Sequence, residues 1–405
     1  MYISKSNILI IYGLRCRVQG IVKMDKKFSA ADEKYMDTAL ELARKAKNPS
    51  PNPYVGAVLV RNGRVVGQGY HKFAGASHAE VNAIKNSGKR LYGSTLYINL
   101  EPCSHYGRTP PCTDTIIRAG IKKVFIAMKD PNPLVNGKGV KALQGKGVAV
   151  RTGLKEEESK KLNEFYVKFI MKKMPFVILK AAISLDGKIA TSKGESKWIS
   201  GEVSRKYVHK VRSKVDAILV GIGTVLKDDP ELNTGTKAQR HSEGVRMTLL
   251  SPSDKGTKFP YKVIVDSRLR IPLKAKVLKN PELVVIAATK DAPRKKIEYL
   301  EKLGVKVLII NKKDGKVDLK VLMKRLAGME ISSVLIEGGG EISAGAISSG
   351  IVDKIIFFIA PKIIGGRSAK TSIEGEGIKR LQDFIKIREM KFKAIGPDIM
   401  VEGYL

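Results

Sequence analysis

His78-Ala-Glu-Val81 and Glu101-Pro-Cys-Ser-His-Tyr-Gly-Arg-Thr-Pro-Pro-Cys112 decide how this chain is read. Taken singly the pieces are bland: a His-Ala-Glu occurs by chance, and two spaced cysteines are more often inert buried thiols. Together they are specific. One imidazole and two thiolates form a borderline-soft donor set suited to Zn²⁺. Three protein ligands, His78, Cys103 and Cys112, leave the fourth coordination position open to water, as in catalytic rather than structural zinc sites. Glu80 stands at the start of the same expected helix as His78 and can carry a proton without binding the metal. Cys103 and Cys112 are the only cysteines in residues 24–405. At a strand end and a helix start they are placed to be deprotonated, the helix dipole favouring the Cys112 thiolate.

Working outward, Met36, Ala39, Leu40, Ala43 and Ala46 recur at helical spacing, so a helix is expected over about 30–47. Asn48-Pro-Ser-Pro-Asn-Pro53 stops it. Tyr54–Val60 reads as a strand, Asn62-Gly63 as a hairpin turn and Arg64-Val-Val66 as the return. A helix from Ser77 to about Ala83 follows, then strand Thr95–Leu100, a helix at about 112–119, strand Val124–Met128 and a strand at 148–150. Leu162, Phe165, Tyr166, Phe169 and Ile170 share one stripe, so 155–173 is expected to close the first half as a helix.

Pro175 marks the boundary, giving domains 24–173 and 174–405. Phe176–Ala182 opens a second run of strands, continued at 215–220, 262–265, 283–287, 305–310, 334–336 and 354–359, with helices at 202–213, 317–327 and 341–348 between them. Such alternation argues an α/β domain whose mostly parallel sheet is covered on both faces. Residues 235–260 are polar and patternless and read as a surface loop. Gly338-Gly-Gly340 lies between a strand and a helix, where bare backbone N–H groups can meet phosphate. It is not the G-x-G-x-x-G fingerprint of a dinucleotide-binding Rossmann half.

Length allows two or three domains, and 43% hydrophobic with 28% charged residues excludes wholesale disorder. No apolar stretch is long enough to span a membrane. Three cysteines exclude a disulfide scaffold and point to a reducing, cytoplasmic setting. Lys and Arg number 74 against 39 Asp and Glu, a net charge of +35 that attracts phosphates of any kind. Residues 1–23 carry Lys5, Arg15, Arg17 and Lys23, no acid, and only a short apolar run at 8–14. They read as an upstream extension, from an initiation site placed too early, rather than as a secretion signal.

Asn52-Pro-Tyr-Val-Gly-Ala-Val58, Gly69-Tyr-His71, Ala74-Gly75 and the two metal-ligand motifs resemble the bifunctional riboflavin-biosynthesis deaminase–reductase family. Asp130-Pro-Asn-Pro133 and Gly137-Lys-Gly139 continue the match. In the second half it rests on Lys180–Lys188, Gly194–Ser200, Val220–Leu232 and Val263–Ser267. Nucleic-acid and cytidine deaminases usually carry Cys-x-x-Cys, whereas this family has the long spacer seen here. The resemblance implies a cytidine-deaminase-like three-layer α/β/α domain followed by a dihydrofolate-reductase-like α/β/α domain. It implies zinc-dependent deamination of 2,5-diamino-6-(5-phosphoribosylamino)pyrimidin-4(3H)-one, then reduction of its ribosyl chain by NADPH.

Carried over by position, Glu80 is the catalytic proton carrier, and Asn52, His71, His105 and Arg108 contact the deaminase substrate. Ala182, Trp198, Thr224, Asp228, Ser267 and the turn Gly339, Gly340, Glu341, Ile342, Ser343, Ala344 and Gly345 fall at NADPH-contacting positions. Lys180, Ser196, Arg212, Leu232 and Glu337 fall at positions that hold the reductase substrate. Trp198, the only tryptophan, reads equally as a nicotinamide platform or as a core residue. One departure stands out: family members often have an Arg shortly after the Asp-Asp-Pro segment, where this chain has Asn233-Thr-Gly235, leaving Arg240 or Arg246 as replacements. The expected partner is a small phosphorylated pyrimidine, with no membrane and, despite the charge, no nucleic acid; homo-oligomerisation stays open. The competing readings are a nucleic-acid or nucleoside zinc deaminase with a divergent partner domain, and a nucleic-acid-binding protein with a structural zinc.

Overall fold

The computed structural model describes residues 28–88, 91–106, 110–235 and 259–405, with the strand residues 9–11 and 14–16. In the first half the helix Ala30–Ala43 is opened by a capping box, in which Ser29 and Asp32 satisfy each other's backbone N–H groups. The sheet behind it runs in the order Arg64–Tyr70, Gly56–Arg61, Thr95–Leu100, Lys123–Met128, Ala149–Thr152. Side chains alternate across it. Val58, Val60, Tyr97 and Phe125 pack with Met36 and Leu40 of the first helix. Ala57, Leu59, Leu96, Ile98 and Val124 pack with Ala79, Ala83, Ile116 and Leu143 of the helices on the other face. The expected three layers are present.

The segment 155–173 is a correction. It is two helices, Glu156–Leu162 and Glu164–Lys172, broken at Asn163. The Asn163 carboxamide is buried and clasps a neighbouring segment instead of continuing the helix: Oδ1 accepts Tyr54 N–H at 2.7 Å and Nδ2 donates to Tyr54 O at 3.1 Å. The helix Lys138–Gln144 was not anticipated.

The second half is a nine-stranded sheet ordered Lys306–Ile309, Val284–Ala288, Tyr261–Val265, Ala217–Gly221, Ser333–Ile336, Phe176–Ser184, Lys354–Ala360, Asp398–Tyr404, Arg388–Ile395. All strands up to Lys354–Ala360 pair in parallel. The last two are an antiparallel edge that sequence reading missed. One face buries Ile178, Ile218, Ile264, Ile286 and Leu335 under helices contributing Val208, Val225 and Leu300. The other buries Val177, Leu179, Val263 and Val334 under Leu322, Met323, Leu326 and Ala346. The α/β reading with a sheet covered on both faces holds. The halves meet through hydrogen bonds that include Lys168 to Asp353 at 2.5 Å and Tyr404 OH to Glu164 at 2.7 Å. Within the 1–23 extension, Leu9–Ile11 and Leu14–Cys16 form a short antiparallel ladder. Of the segment read as a surface loop, 236–258, with Arg240 and Arg246, lies outside the described residues.

Candidate active sites

His78 is the N-cap of helix Ala79–Lys85, so its side chain projects from the helix mouth while Glu80 sits in the first turn. The helix can press onto strand Arg64–Tyr70 because residue 69 is glycine: a Cβ there would lie 2.3 Å from Ala83 N and 2.5 Å from Ala79 O. Cys103 follows strand Thr95–Leu100, and Cys112 opens helix Cys112–Arg118. These elements bring the ligand atoms of His78, Cys103 and Cys112 within 4.8 Å of one another. His78 Nδ1 is 3.1 Å from Cys112 Sγ and 3.7 Å from Cys103 Sγ. Hydrogen bonds from Cys112 and His78 outweigh burial and bring Cys103 down to about 4, while the facing Cys103 sulfur and burial push Cys112 up. Two thiols that share a proton in this way can exchange it for a divalent cation. The donor set fits zinc, and no fourth protein ligand joins it among the described residues. Glu80 is only 3% exposed, and burial raises its carboxyl above the usual range.

Asn52 and His71 come together beside this cluster. Asn52 Nδ2 is 3.1 Å from His71 Nε2, and His71 Nδ1 is 3.3 Å from Ser77 O. The imidazole that donates through Nδ1 accepts through Nε2, an assignment made from the hydrogen-bond partners. His71 is thus saturated: burial lowers its pKa, and it fixes the Asn52 amide. His105 lies exposed on the loop between the cysteines, and Arg108 lies outside the described residues.

Glu101, which spacing gave no reason to single out, anchors the metal loop. Its buried carboxylate accepts the N–H groups of Asp130, Gly137 and Val140 at 3.2, 2.9 and 3.1 Å. The Asp130-Pro-Asn-Pro133 and Gly137-Lys-Gly139 motifs are thereby tied to the residue two before Cys103.

In the second half the nominated residues converge at the carboxyl ends of the central parallel strands, where ligands of open α/β sheets bind. Lys180 and Ala182 are on Phe176–Ser184, Glu337 follows Ser333–Ile336, Thr224 and Asp228 are on the helix after Ala217–Gly221, and Ser267 follows Tyr261–Val265. Arg212 Nε and one terminal nitrogen grip Glu337 at 2.5 and 3.0 Å, and Lys180 Nζ lies 3.8 Å from the same carboxylate. Ser196 Oγ donates to Asp228 at 3.2 Å. Trp198 is 64% exposed with the Arg205 guanidinium 4.6 Å from its ring, so the core reading of Trp198 is dropped. Leu232 has its side chain in the core and a backbone with positive φ. Gly339 caps helix Gly340–Ser348, and a Cβ there would meet nothing within 4 Å, so its backbone is open to approach. Glu341 is in the first helical turn, Ile342 lies over Gly221, the Ser343 hydroxyl donates to Gly339 O, and Ala344 faces Gly375. Gly345 has space on its outer side up to Leu319.

His209 was also missed. One turn before Arg212, it holds a buried Nδ1 that has no hydrogen-bond partner among the described residues, 3.0 Å from where a Cβ on Gly235 would stand. Its spacing from Arg212 on one helix was the available signal.

Comparison with known proteins agrees with this geometry. Residues 29–128 match the cytidine and deoxycytidylate deaminase zinc-binding region, and residues 175–401 match the RibD C-terminal domain. The chain is 42% identical to the riboflavin biosynthesis protein RibD of Actinobacillus pleuropneumoniae, over 92% of this chain and 94% of that one. It is 37% identical to RibD of Escherichia coli strain K12, over 91% and 98% respectively. A solved Acinetobacter baumannii RibD superposes with a TM-score of 0.81 at 36% identity, covering 92% of this chain and 98% of that one. A Thermotoga maritima diaminohydroxyphosphoribosylaminopyrimidine deaminase/5-amino-6-(5-phosphoribosylamino)uracil reductase does so at 0.77 and 33%, with the same coverage. With a zinc-binding deaminase half and a reductase half both matched, the chain belongs to the bifunctional RibD family of riboflavin biosynthesis.

Proposed function

We propose that the chain performs two consecutive steps. Residues 24–173 deaminate 2,5-diamino-6-(5-phosphoribosylamino)pyrimidin-4(3H)-one at its C2 amine. Residues 174–405 then reduce the ribosyl chain to ribityl with NADPH, giving 5-amino-6-(5-phosphoribitylamino)uracil. The observation that carries the reading is the convergence of His78, Cys103 and Cys112 beside buried Glu80, in a chain whose other half belongs to a reductase family.

His78, Cys103 and Cys112 would hold a zinc ion, which when bound would supply Lewis-acid activation of water. Glu80, its carboxyl held up by burial, takes a proton from the attacking water and returns it to the leaving amine, so ammonia departs and oxygen replaces nitrogen. Asn52, its Nδ2 committed to His71, presents Oδ1 as an acceptor for a pyrimidine N–H. His105 and Arg108 are the clamp for the substrate phosphate.

In the reductase half NADPH supplies the hydride. Gly339–Gly345 opens a helix N-terminus toward its phosphates, exposed Trp198 offers a flat platform, and Ala182, Thr224, Asp228 and Ser267 are further cofactor contacts. Lys180, Ser196, Arg212, Glu337 and the Leu232 backbone hold the substrate, with Arg212 acting first as the partner of Glu337.

No helix among the described residues is long and apolar enough to cross a membrane. Cys103 and Cys112 are free thiols, which supports a cytoplasmic setting. The outer edge strand Arg388–Ile395, with Met390 and Phe392 exposed, is the surface we assign to a second copy in a homo-oligomer. The deciding experiment is mass spectrometry of the diaminopyrimidine phosphate incubated with zinc-loaded protein. Without NADPH the product has oxygen in place of one amine; with NADPH it gains two further hydrogens. Unchanged substrate in both incubations refutes the proposal.

A further inference from the structure

We infer that the reductase half positions the deaminase half's Asn52, through a hydrogen bond from Ser50 to Asp216. The inference rests on the reading of Asn52 as a substrate contact. Asn52 belongs to the loop Asn48-Pro-Ser-Pro-Asn-Pro53, between the first helix and the first strand of the deaminase sheet. Prolines at 49, 51 and 53 restrict its backbone, so the loop moves as a unit.

The loop is held at three points. Asn52 Nδ2 meets His71 Nε2 at 3.1 Å. The Tyr54 backbone is clasped by Asn163 at the helix break. Ser50 Oγ donates to Asp216 Oδ2 at 2.6 Å and lies 3.0 Å from Ser332 Oγ. Only the third hold comes from the reductase half, where Asp216 and Ser332 stand at the entries of adjacent strands Ala217–Gly221 and Ser333–Ile336.

Asp216 is fully buried and held from its own side: Oδ2 also accepts Ser332 N–H and Ser332 Oγ–H, both at 2.8 Å. Its backbone is pinned in turn, Asp216 N donating to Ser333 Oγ at 2.9 Å and Asp216 O accepting from Tyr261 N at 2.8 Å. The acceptor waiting for Ser50 is therefore fixed in place by the reductase half's own hydrogen bonds. A small cavity lined by Asn48, Ser50, Asn52, Tyr54, Asn163 and Ser332 lies along this seam, so packing alone does not hold the loop there. Asp216 is a positioning residue for deamination, acting through Ser50 on Asn52.

The test uses zinc-loaded full-length protein, with the diaminopyrimidine phosphate for deamination and supplied 5-amino-6-(5-phosphoribosylamino)uracil plus NADPH for reduction. Ser50→Ala should raise KM for deamination about five- to thirtyfold, as expected for losing one hydrogen bond to a buried acceptor. Its kcat should stay within about twofold, with zinc content and both reductase constants unchanged. Ser50→Thr, which keeps the hydroxyl, should restore KM. Asp216→Asn should shift the deaminase KM in the same direction, and if that variant fails to fold, the Ser50 pair decides. Asn52→Ala separates the two claims. If it raises KM and Ser50→Ala does not, the positioning role is wrong while Asn52 stands. If Asn52→Ala changes nothing, both fall. A proportional loss of both activities in Ser50→Ala means that the seam only supports the fold, and overturns the inference.

Discussion

Arg212→Ala is the most informative substitution in the reductase half, because the structure changes what it should do. The guanidinium is not a free fork awaiting phosphate. Two of its nitrogens grip Glu337 and a third donates to Asn233 O at 2.9 Å. The side chains of Arg212 and Glu337 are 17% and 9% exposed. Burial pushes the Glu337 carboxyl up, but Arg212 and Lys180 together hold it below the usual carboxylate range. Its contribution to stability is therefore fully present above the unfolded glutamate value of about 4.3 and is lost as pH falls through the lower folded value. Removing one partner of a buried pair costs about 3–5 kcal/mol. Lys180 remains 3.8 Å from the carboxylate, so the lower end, about 3 kcal/mol, is expected at neutral pH. Urea unfolding followed by Trp198 fluorescence measures this, since the single tryptophan reports on the reductase half alone. Adding Glu337→Gln to Arg212→Ala should recover much of the loss, because a carboxamide needs no charge partner. A loss below about 1 kcal/mol, the range of exposed ion pairs, refutes the pairing argument. If stability holds while KM for the phosphorylated intermediate rises at least tenfold, Arg212 is a phosphate ligand first.

Glu80→Gln should keep a full zinc while deamination falls by about 10²–10⁴-fold; normal turnover would end the proton-carrier assignment. Cys103→Ser and Cys112→Ser should each lose zinc by metal analysis, and retention of one zinc by both would point to other ligands. Gly69→Ala puts a methyl 2.3 Å from Ala83 N, so the helix bearing His78 and Glu80 must shift, and deamination should drop with reduction intact. Equal loss of both steps would show a global folding defect instead. Phe392→Asp should shift the light-scattering mass toward monomer, and an unchanged mass would remove the edge strand from the interface.

Much of the fold was legible because the buried strands alternate or run apolar, and because the metal ligands are few and chemically distinctive. The missing parts share a cause: their partners are distant in sequence. Asn163 falls inside a helical pattern, and the Tyr54 backbone groups 109 residues away explain why the helix breaks there. Glu101 reads as a strand-end acid until three N–H groups converge on it. Leu232 looks like any loop leucine until its positive φ turns it into the core. Strand Arg388–Ile395 buries almost none of its side chains, so it carries no core-facing period to detect. Ser50 and Asp216 are 166 residues apart, and neither has a local signal. That bond ties the loop carrying Asn52 to the reductase sheet.

The edge strand has a consequence for how ionic strength acts on this protein. Phe392 is 77% exposed, and Lys391 and Lys393 flank it on a chain of net charge +35. Two copies meeting there bring like charges together, so mobile anions favour the encounter by shortening the reach of repulsion to about 8 Å at physiological salt. Self-association through apolar side chains should therefore strengthen as salt rises. Attachment to a polyanion through the same lysines should weaken steeply, because it depends on counterion release. One titration with sodium chloride thus moves the two kinds of partner in opposite directions.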